Sequence, residues 1–335
     1  MRYRQHLSRS IIPPLIIFVF SFVMFSTGCN ESKYDAEPGK ALFITPYFSS
    51  TTGVVKDIEI VHYPELPAPG DFLILEAGPV SEITDYEFSF DFPGVLSELY
   101  RTDGLLYAII AISCDAEPGS YSLAVESVDA GENSAARAEK NILISDKEFN
   151  LSRFSMPPDR TAGWTAARLA EDREKVRAAR ETTEPHPLWM NRFIIPLEGR
   201  ITSEFGAIRI INNNPPRRHS GIDIGADKDT PVVAPNNGIV RLAEFLLSGG
   251  NTVILDHGMG LSSTYMHLEA ITVENGQKVE RGELIGTVGM SGYATGYHLH
   301  WEVNIGQTAV NPEQLTGRDL LWVPPAYTAH FLDRD

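Results

Sequence analysis

Between Ala41 and about Phe149 the chain is a succession of short apolar, β-branched and aromatic runs. They are Ala41–Ile44, Val54–Val61, Phe72–Leu75, Tyr86–Phe92, Leu105–Ile112, Tyr121–Val128 and Asn141–Ile144. Pro-Gly pairs at Pro69-Gly70, Pro93-Gly94 and Pro118-Gly119 separate several of them. Roughly seven short strands at this spacing predict an all-β sandwich over residues 41–150. The immunoglobulin-like label is an analogy only, because the cysteine pair and tryptophan of that fold are missing. The pattern changes at residues 160–185. The stretch Thr161–Glu184 is rich in Ala, Arg and Glu, which favour helix, and Glu171/Lys175 has the spacing of a supporting ion pair. Trp164, Leu169 and Val176 could face a neighbouring domain, and Pro185 and Pro187 end the segment. It reads as a connecting helix that spaces two domains, its charges a solvated face. From Trp189 to Leu320 strand-like segments alternate with glycine turns: Gly238–Val240, Asn251–Leu255, Leu284–Val288 and Trp301–Val303. No helical period is sustained there. The chain is therefore expected to be mostly β, with a compact antiparallel domain over residues 189–320 and a tail over 321–335.

The first 28 residues read as a targeting segment. Arg2, Arg4 and Arg9 precede an apolar run, Ile11–Phe25, interrupted by Pro13, Pro14 and Ser21. The run is short for a membrane span, which takes about 20 residues. It ends in Ser26-Thr27-Gly28-Cys29, which resembles the lipobox of bacterial lipoproteins, with Ser26 where a leucine is usual. The resemblance implies cleavage before Cys29 and a lipid on its thiol, followed by a polar tether over residues 29–40. A simple secretory signal or an uncleaved anchor are the alternatives. All three place the rest of the chain outside the cytoplasm, and the first places it in the bacterial envelope, lipid-anchored and facing the periplasm or exterior.

Composition narrows the function. Of 335 residues, 43% are hydrophobic and 21% charged, as in globular proteins. The net charge of −16 argues against a nucleic-acid partner. The acid is uneven: residues 31–150 hold 7 Lys+Arg against 22 Asp+Glu, whereas residues 190–320 hold 10 against 14. The less acidic part can approach anionic polymers with less repulsion. Two cysteines, Cys29 and Cys114, exclude a disulfide scaffold and a cysteine-rich zinc site. Cys114 reads as a small buried hydrophobe.

Five of the nine histidines fall between residues 219 and 300. In His219-Ser220-Gly221-Ile222-Asp223 an extended chain turns residues 219, 221 and 223 the same way. In His298-Leu299-His300 the same period puts both imidazoles on one face and Leu299 on the other. Two imidazoles and a carboxylate suit a catalytic zinc, which takes three protein ligands and keeps a position open. Each pair alone is weak evidence. Together, with His267 in Tyr265-Met266-His267-Leu268, they point to a metal site on β structure, and the helical HExxH motif is absent. Asp256 and His257 read as structural. Gly289, Gly292 and Gly296 could keep a groove wall low for an extended peptide, or simply make turns. The loop Asn212–Arg218 leads into the site and could shape access.

Residues 190–312 resemble the lysostaphin/LytM-type zinc metallopeptidases, which cut peptide bonds in bacterial peptidoglycan. The segments that carry the resemblance are Pro196–Gly206, Arg218–Ala226 (RHSGIDIGA), Thr230–Pro235, Gly238–Val240, Gly250–Leu268, Val279–Val303 and Asn311-Pro312. The resemblance implies zinc ligands at His219, Asp223 and His300 and catalytic histidines at His298 and His267. His298 would be the general base, and His267 would hold or protonate the tetrahedral intermediate. The resemblance implies peptidoglycan peptides as partners, the lipobox adds the membrane through Cys29, and the amino-terminal domain could bind an envelope protein, position the enzyme or cover its groove. Two other readings compete: a non-enzymatic regulator of cell-wall amidases, which the intact ligand set disfavours, and a zinc protease acting on an envelope protein.

Overall fold

The computed structural model describes residues 58–316, apart from 82–84, 98, 103, 129–135, 156–163, 191 and 213. The targeting segment, Cys29, the tether, the Ala41–Ile44 run and the tail lie outside the described residues. No described helix is long and apolar enough to cross a membrane.

The amino-terminal region consists of β1 (Glu59–Tyr63), β2 (Phe72–Gly78), β3 (Tyr86–Phe90), β4 (Gly94–Leu96), β5 (Tyr100–Thr102), β6 (Leu105–Ile112), β7 (Gly119–Ser127) and β8 (Arg137–Ile144). One antiparallel sheet runs β1-β2-β6-β4, with β5 also on β6; the second runs β3-β7-β8. Leu73, Leu75, Ile110 and Ile112 of the first sheet meet Phe88, Leu123, Val125 and Ile142 of the second. Every residue of β6 is buried. Its even-numbered side chains, Leu106 to Ile112, enter the sandwich core, while Leu105, Tyr107, Ile109 and Ala111 enter the core of the next domain beside Trp189, Phe193, Met259 and Leu261. A strand covered on both faces has no polar side, so Leu105–Ile112 is an unbroken apolar run instead of an alternating one.

Next come β9 (Leu151–Phe154) and α1 (Ala166–Glu181). Thr165 caps α1, its hydroxyl accepting from the Arg168 N–H at 3.2 Å. The helix does not stand between the domains as a spacer. Val176 and Ala179 pack on Leu242, Leu246 and Ile254, Asp172 accepts from the Leu247 N–H at 2.6 Å, and Lys175 pairs with Glu244 at 3.1 Å. Part of the charge run is solvated as expected: Arg177 pairs with Glu174 and Glu181 on the exposed side. The chain after the helix is then stitched down. Thr183 Oγ1 donates to Asp256 Oδ1 at 2.8 Å, and the Glu184 N–H donates to Oδ2 at 3.0 Å.

The remaining strands are β10 (Arg200–Ser203), β11 (Ile208–Ile211), β12 (Arg217–Arg218), β13 (Gly221–Gly225), β14 (Pro231–Val233), β15 (Gly238–Leu246), β16 (Gly250–Gly258), β17 (Leu261–Ile271), β18 (Lys278–Val279), β19 (Leu284–Val288), β20 (His298–Ile305) and β21 (Thr308–Val310), followed by α2 (Pro312–Thr316). A ten-stranded sheet has the main path β10-β13-β20-β17-β16-β15-β18. β11 leaves it to pair with β12 and, in parallel, with β9. Two registers position the site. β13 and β20 set Asp223 opposite His300, and β17 and β20 set Met266 opposite His300 and Thr264 opposite Glu302. The first depends on Gly221, where a Cβ would lie 2.2 Å from the Trp301 carbonyl oxygen.

Candidate metal centre and the cleft beside it

His219, Asp223 and His300 converge, all three buried. His219 Nε2 lies 3.0 Å and His300 Nδ1 2.9 Å from Asp223 Oδ1, and the two nitrogens are 3.0 Å apart. Ligand atoms held tetrahedrally about 2.0–2.1 Å from a zinc ion would sit roughly 3.3 Å from one another. The triangle therefore needs only a slight opening to take such an ion, and two nitrogens with one carboxylate oxygen are donors it accepts. The outward atoms are also occupied, as metal ligands require. His219 Nδ1 donates to the Glu204 carbonyl at 2.8 Å. Asp223 Oδ2 accepts from Arg209 Nη2 at 2.5 Å, leaving Oδ1 for a metal.

Charge follows the same geometry. Burial opposes the Asp223 carboxylate, yet its close contacts with His219 and His300, and the charge of His300, hold its carboxyl well below the usual range. Burial lowers His219, helped by the charges of His300 and Arg209. His300 is also penalised by burial, but Asp223 and Glu302 outweigh it and push it up to about 9.

His298 and His267 stand next to the triangle. His298 follows the strand alternation, with Nε2 3.7 Å from Asp223 Oδ1, while Leu299 is fully buried on the other face. His267 does not follow it. Because Met266 shares the site face with His300, the next residue should point into the core. A left-handed backbone at His267 (φ 64°) breaks the alternation and brings its ring to 4.8 Å from His298 and 6.2 Å from His300, centroid to centroid. Each ring donates its Nδ1–H to a backbone carbonyl, that of Ser291 for His267 and of Gly296 for His298, at 2.8 and 2.9 Å. In the neutral tautomer Nε2 then carries the lone pair. Burial first, and the charges of His298 and His300 after it, lower His267 to about 3.

Three further residues touch the site that the sequence did not single out. Arg209 holds Asp223 and also donates to Ser203 Oγ at 2.6 Å. Glu302, on the same face of β20 as His300, places Oε2 3.6 Å from His300 Nε2 and accepts from Ser220 Oγ at 3.0 Å. Arg180 of α1 donates to Glu302 Oε1 at 2.8 Å. Burial works against the Glu302 charge, but Arg180, then His300 and Asn304, bring its carboxyl down to about 2. The HLHWE run contained the signal for Glu302, since i+2 on a strand repeats the face.

Asp256 and His257 lie elsewhere. Asp256 anchors the chain after α1 and pairs with Arg241 at 2.8 Å, and the His257 ring bridges the Asn237 carbonyl and Ser263 Oγ. Gly292 (φ 70°) makes a close crossing, where a Cβ would lie 2.3 Å from the Gly250 nitrogen; Gly296 faces open space. Cys114 is a free, half-buried thiol whose pKa burial pushes up. A cleft of about 920 Å³ opens beside the metal centre, with α1 as one wall and Asn214, Pro215 and Arg217 of the loop before His219 on another.

An antiparallel β domain brings Asp223 and His300 from paired strands together with His219 from the turn before β13, flanked by two further histidines, a donor set suited to a metallopeptidase. Residues 217–312 match the family model for Peptidase family M23, and this part of the chain is an M23 domain of the LytM/lysostaphin type. The chain is 37% identical over 125 residues to an uncharacterized metalloprotease of Buchnera aphidicola, covering 36% of this chain and 33% of that one. It is 37% identical over 113 residues to the peptidoglycan DD-endopeptidase ShyA of Vibrio cholerae, covering 31% and 26%. The chain thus spans a quarter to a third of the length of these curated relatives. A crystal structure from Pseudomonas aeruginosa assigned to peptidase M23 superposes with a TM-score of 0.55 at 26% identity, covering 75% of this chain and 95% of that one. That likeness extends beyond the M23 region.

Proposed function

We propose that the protein is a zinc-dependent endopeptidase that hydrolyses peptide bonds in peptidoglycan cross-links or stem peptides, for cell-wall remodelling in the bacterial envelope. The observation that carries this reading is the triangle of His219 Nε2, Asp223 Oδ1 and His300 Nδ1, with His298 beside it. A bound zinc ion supplies Lewis-acid polarisation of the scissile carbonyl and acidifies water. The chain supplies the rest. His298, the nearer of the two free imidazoles, takes the proton of the attacking water at Nε2 and returns it to the leaving amine. His267, its Nδ1–H committed to Ser291, has no proton on Nε2 to give in its neutral form. It acts by accepting a hydrogen bond from that water and fixing its direction, not by protonating the intermediate. Arg209 orients Asp223 by donating to its Oδ2. A lipid at Cys29 would confine the enzyme to a membrane surface facing the wall.

The experiment is digestion of purified peptidoglycan by the zinc-loaded chain, with fragments identified by mass spectrometry beside a His219→Ala control. New termini at one peptide bond, absent from the control, support the reading. Intact peptidoglycan from a zinc-loaded, folded chain rejects it.

A further inference from the structure

The sheet face that carries His298 and His300 continues through Glu302 and Asn304, and α1 lies across that continuation. Arg180 of α1 reaches both Glu302 and, at 3.2 Å, Thr264 Oγ1 on the neighbouring strand. The cleft between α1 and this sheet face thus reaches Glu302, which in turn faces His300. The lining residues of α1 are Leu169, Asp172, Arg173, Val176, Arg177 and Arg180, which is the i, i+3, i+4 stripe of a single helix face. Arg209 and Arg217 line the cleft from β11 and β12. Five arginines thus meet two carboxylates, Asp172 and Glu302, in a protein of net charge −16.

Three of the five are already committed: Arg177 to Glu174 and Glu181, Arg180 to Glu302, and Arg209 to Asp223. Arg173 and Arg217 have no acidic partner among the described residues, and both are exposed. The walls around them mix polar groups with apolar and aromatic ones. Trp164, just before α1, packs on Tyr293 of the loop leading to His298, with centroids 5.4 Å apart. Two uncommitted guanidinium groups in one cleft attract an incoming anion, and the planar fork of arginine matches a carboxylate.

We propose that this cleft is a subsite for a free carboxylate of the peptide substrate, gripped by Arg173 and Arg217 from different walls. The proposal rests on the reading of the site as a peptidase only in taking the ligand to be a peptide. Helix α1, outside the region that matches the M23 family, then selects which peptides are held next to the metal centre.

The test is calorimetric. The metal-stripped full chain, which turns nothing over, is titrated with two synthetic stem peptides alike except that one carries free carboxylates and the other carboxamides. The acid form is expected to bind about tenfold more tightly at low salt, the scale of a charge-assisted pair, and to lose that preference as salt screens it. Arg173→Gln/Arg217→Gln should abolish the preference, and Arg137→Gln on the sandwich should retain it. Equal affinity for both peptides, binding of neither, or a preference that survives in the double variant would overturn the subsite. A preference that holds while the zinc-loaded chain cleaves neither peptide would leave the subsite standing and reject the peptidase reading.

Discussion

Arg180 and Glu302 form an ion pair at 2.8 Å with only 9% and 5% of their side chains exposed, and Glu302 in turn faces the metal-ligand candidate His300. The helix after the sandwich is thereby tied to the metal centre by a buried charge. Removing one partner leaves the other charged in a dry site, a loss of about 3–5 kcal/mol. Arg180→Met should lower stability on that scale and weaken zinc binding, and Glu302→Gln together with Arg180→Met should recover much of the stability. Denaturant melts of the single and double variants check this; equal stability of Arg180→Met and wild type would remove the coupling.

Zinc binding should release a proton. His300, held up to about 9 by Asp223 and Glu302, is protonated near neutral pH in the metal-free chain, and an imidazole must lose that proton to ligate. Its raised pKa stabilises the metal-free fold fully below the unfolded value near 6.5, and that contribution fades as pH rises through about 9. Zinc affinity should accordingly climb about tenfold per pH unit between 7 and 8. Calorimetry in buffers of different ionisation enthalpy measures the proton. A pH-independent affinity with no proton released would show that His300 is already neutral.

The histidines should separate by role. His219→Ala and Asp223→Asn should lose stoichiometric zinc, whereas His298→Ala should keep it and lose hydrolysis by ~10²–10⁴-fold, the usual contribution of general base catalysis. Zinc content and peptide-bond cleavage are measured on the same preparations. A His298→Ala chain that binds no zinc would move His298 into the ligand set.

The catalytic domain should not survive alone. Trp189, Phe193, Met259 and Leu261 are buried against Phe72, Leu105, Tyr107 and Ile109 of the sandwich. Residues 186–335 alone should expose that apolar patch, leave Glu302 without Arg180, and run as soluble aggregates on size exclusion. A monodisperse, zinc-loaded monomer would contradict the shared core.

Strand alternation made part of the site legible, since His298 and His300 share a face; the ligand set His219, Asp223 and His300 came from the family resemblance, and the structure added the register that sets Asp223 opposite His300. His267 was legible as a histidine of the motif but not in its geometry, since a left-handed residue inside a strand defeats the alternation. Strands β4, β5 and β9 are three or four residues long and have no apolar run of their own to betray them. The role of α1 was hidden for another reason. Its sequence is dominated by charge, which reads as solvated, and the two arginines at 177 and 180 look alike until the fold buries one against Glu302 and leaves the other with its own helix. The continuous apolar run of β6 did carry a message, burial on both faces, but naming what covers the second face required the structure.

The most direct measurement is to titrate zinc into the metal-stripped full chain while following the release of new amino termini from purified peptidoglycan. The account predicts cleavage that rises in proportion to bound zinc, saturates at one ion per chain, and is absent from His219→Ala at every zinc concentration. Stoichiometric zinc binding with no peptide bond broken, or cleavage that persists in the stripped chain, would contradict it.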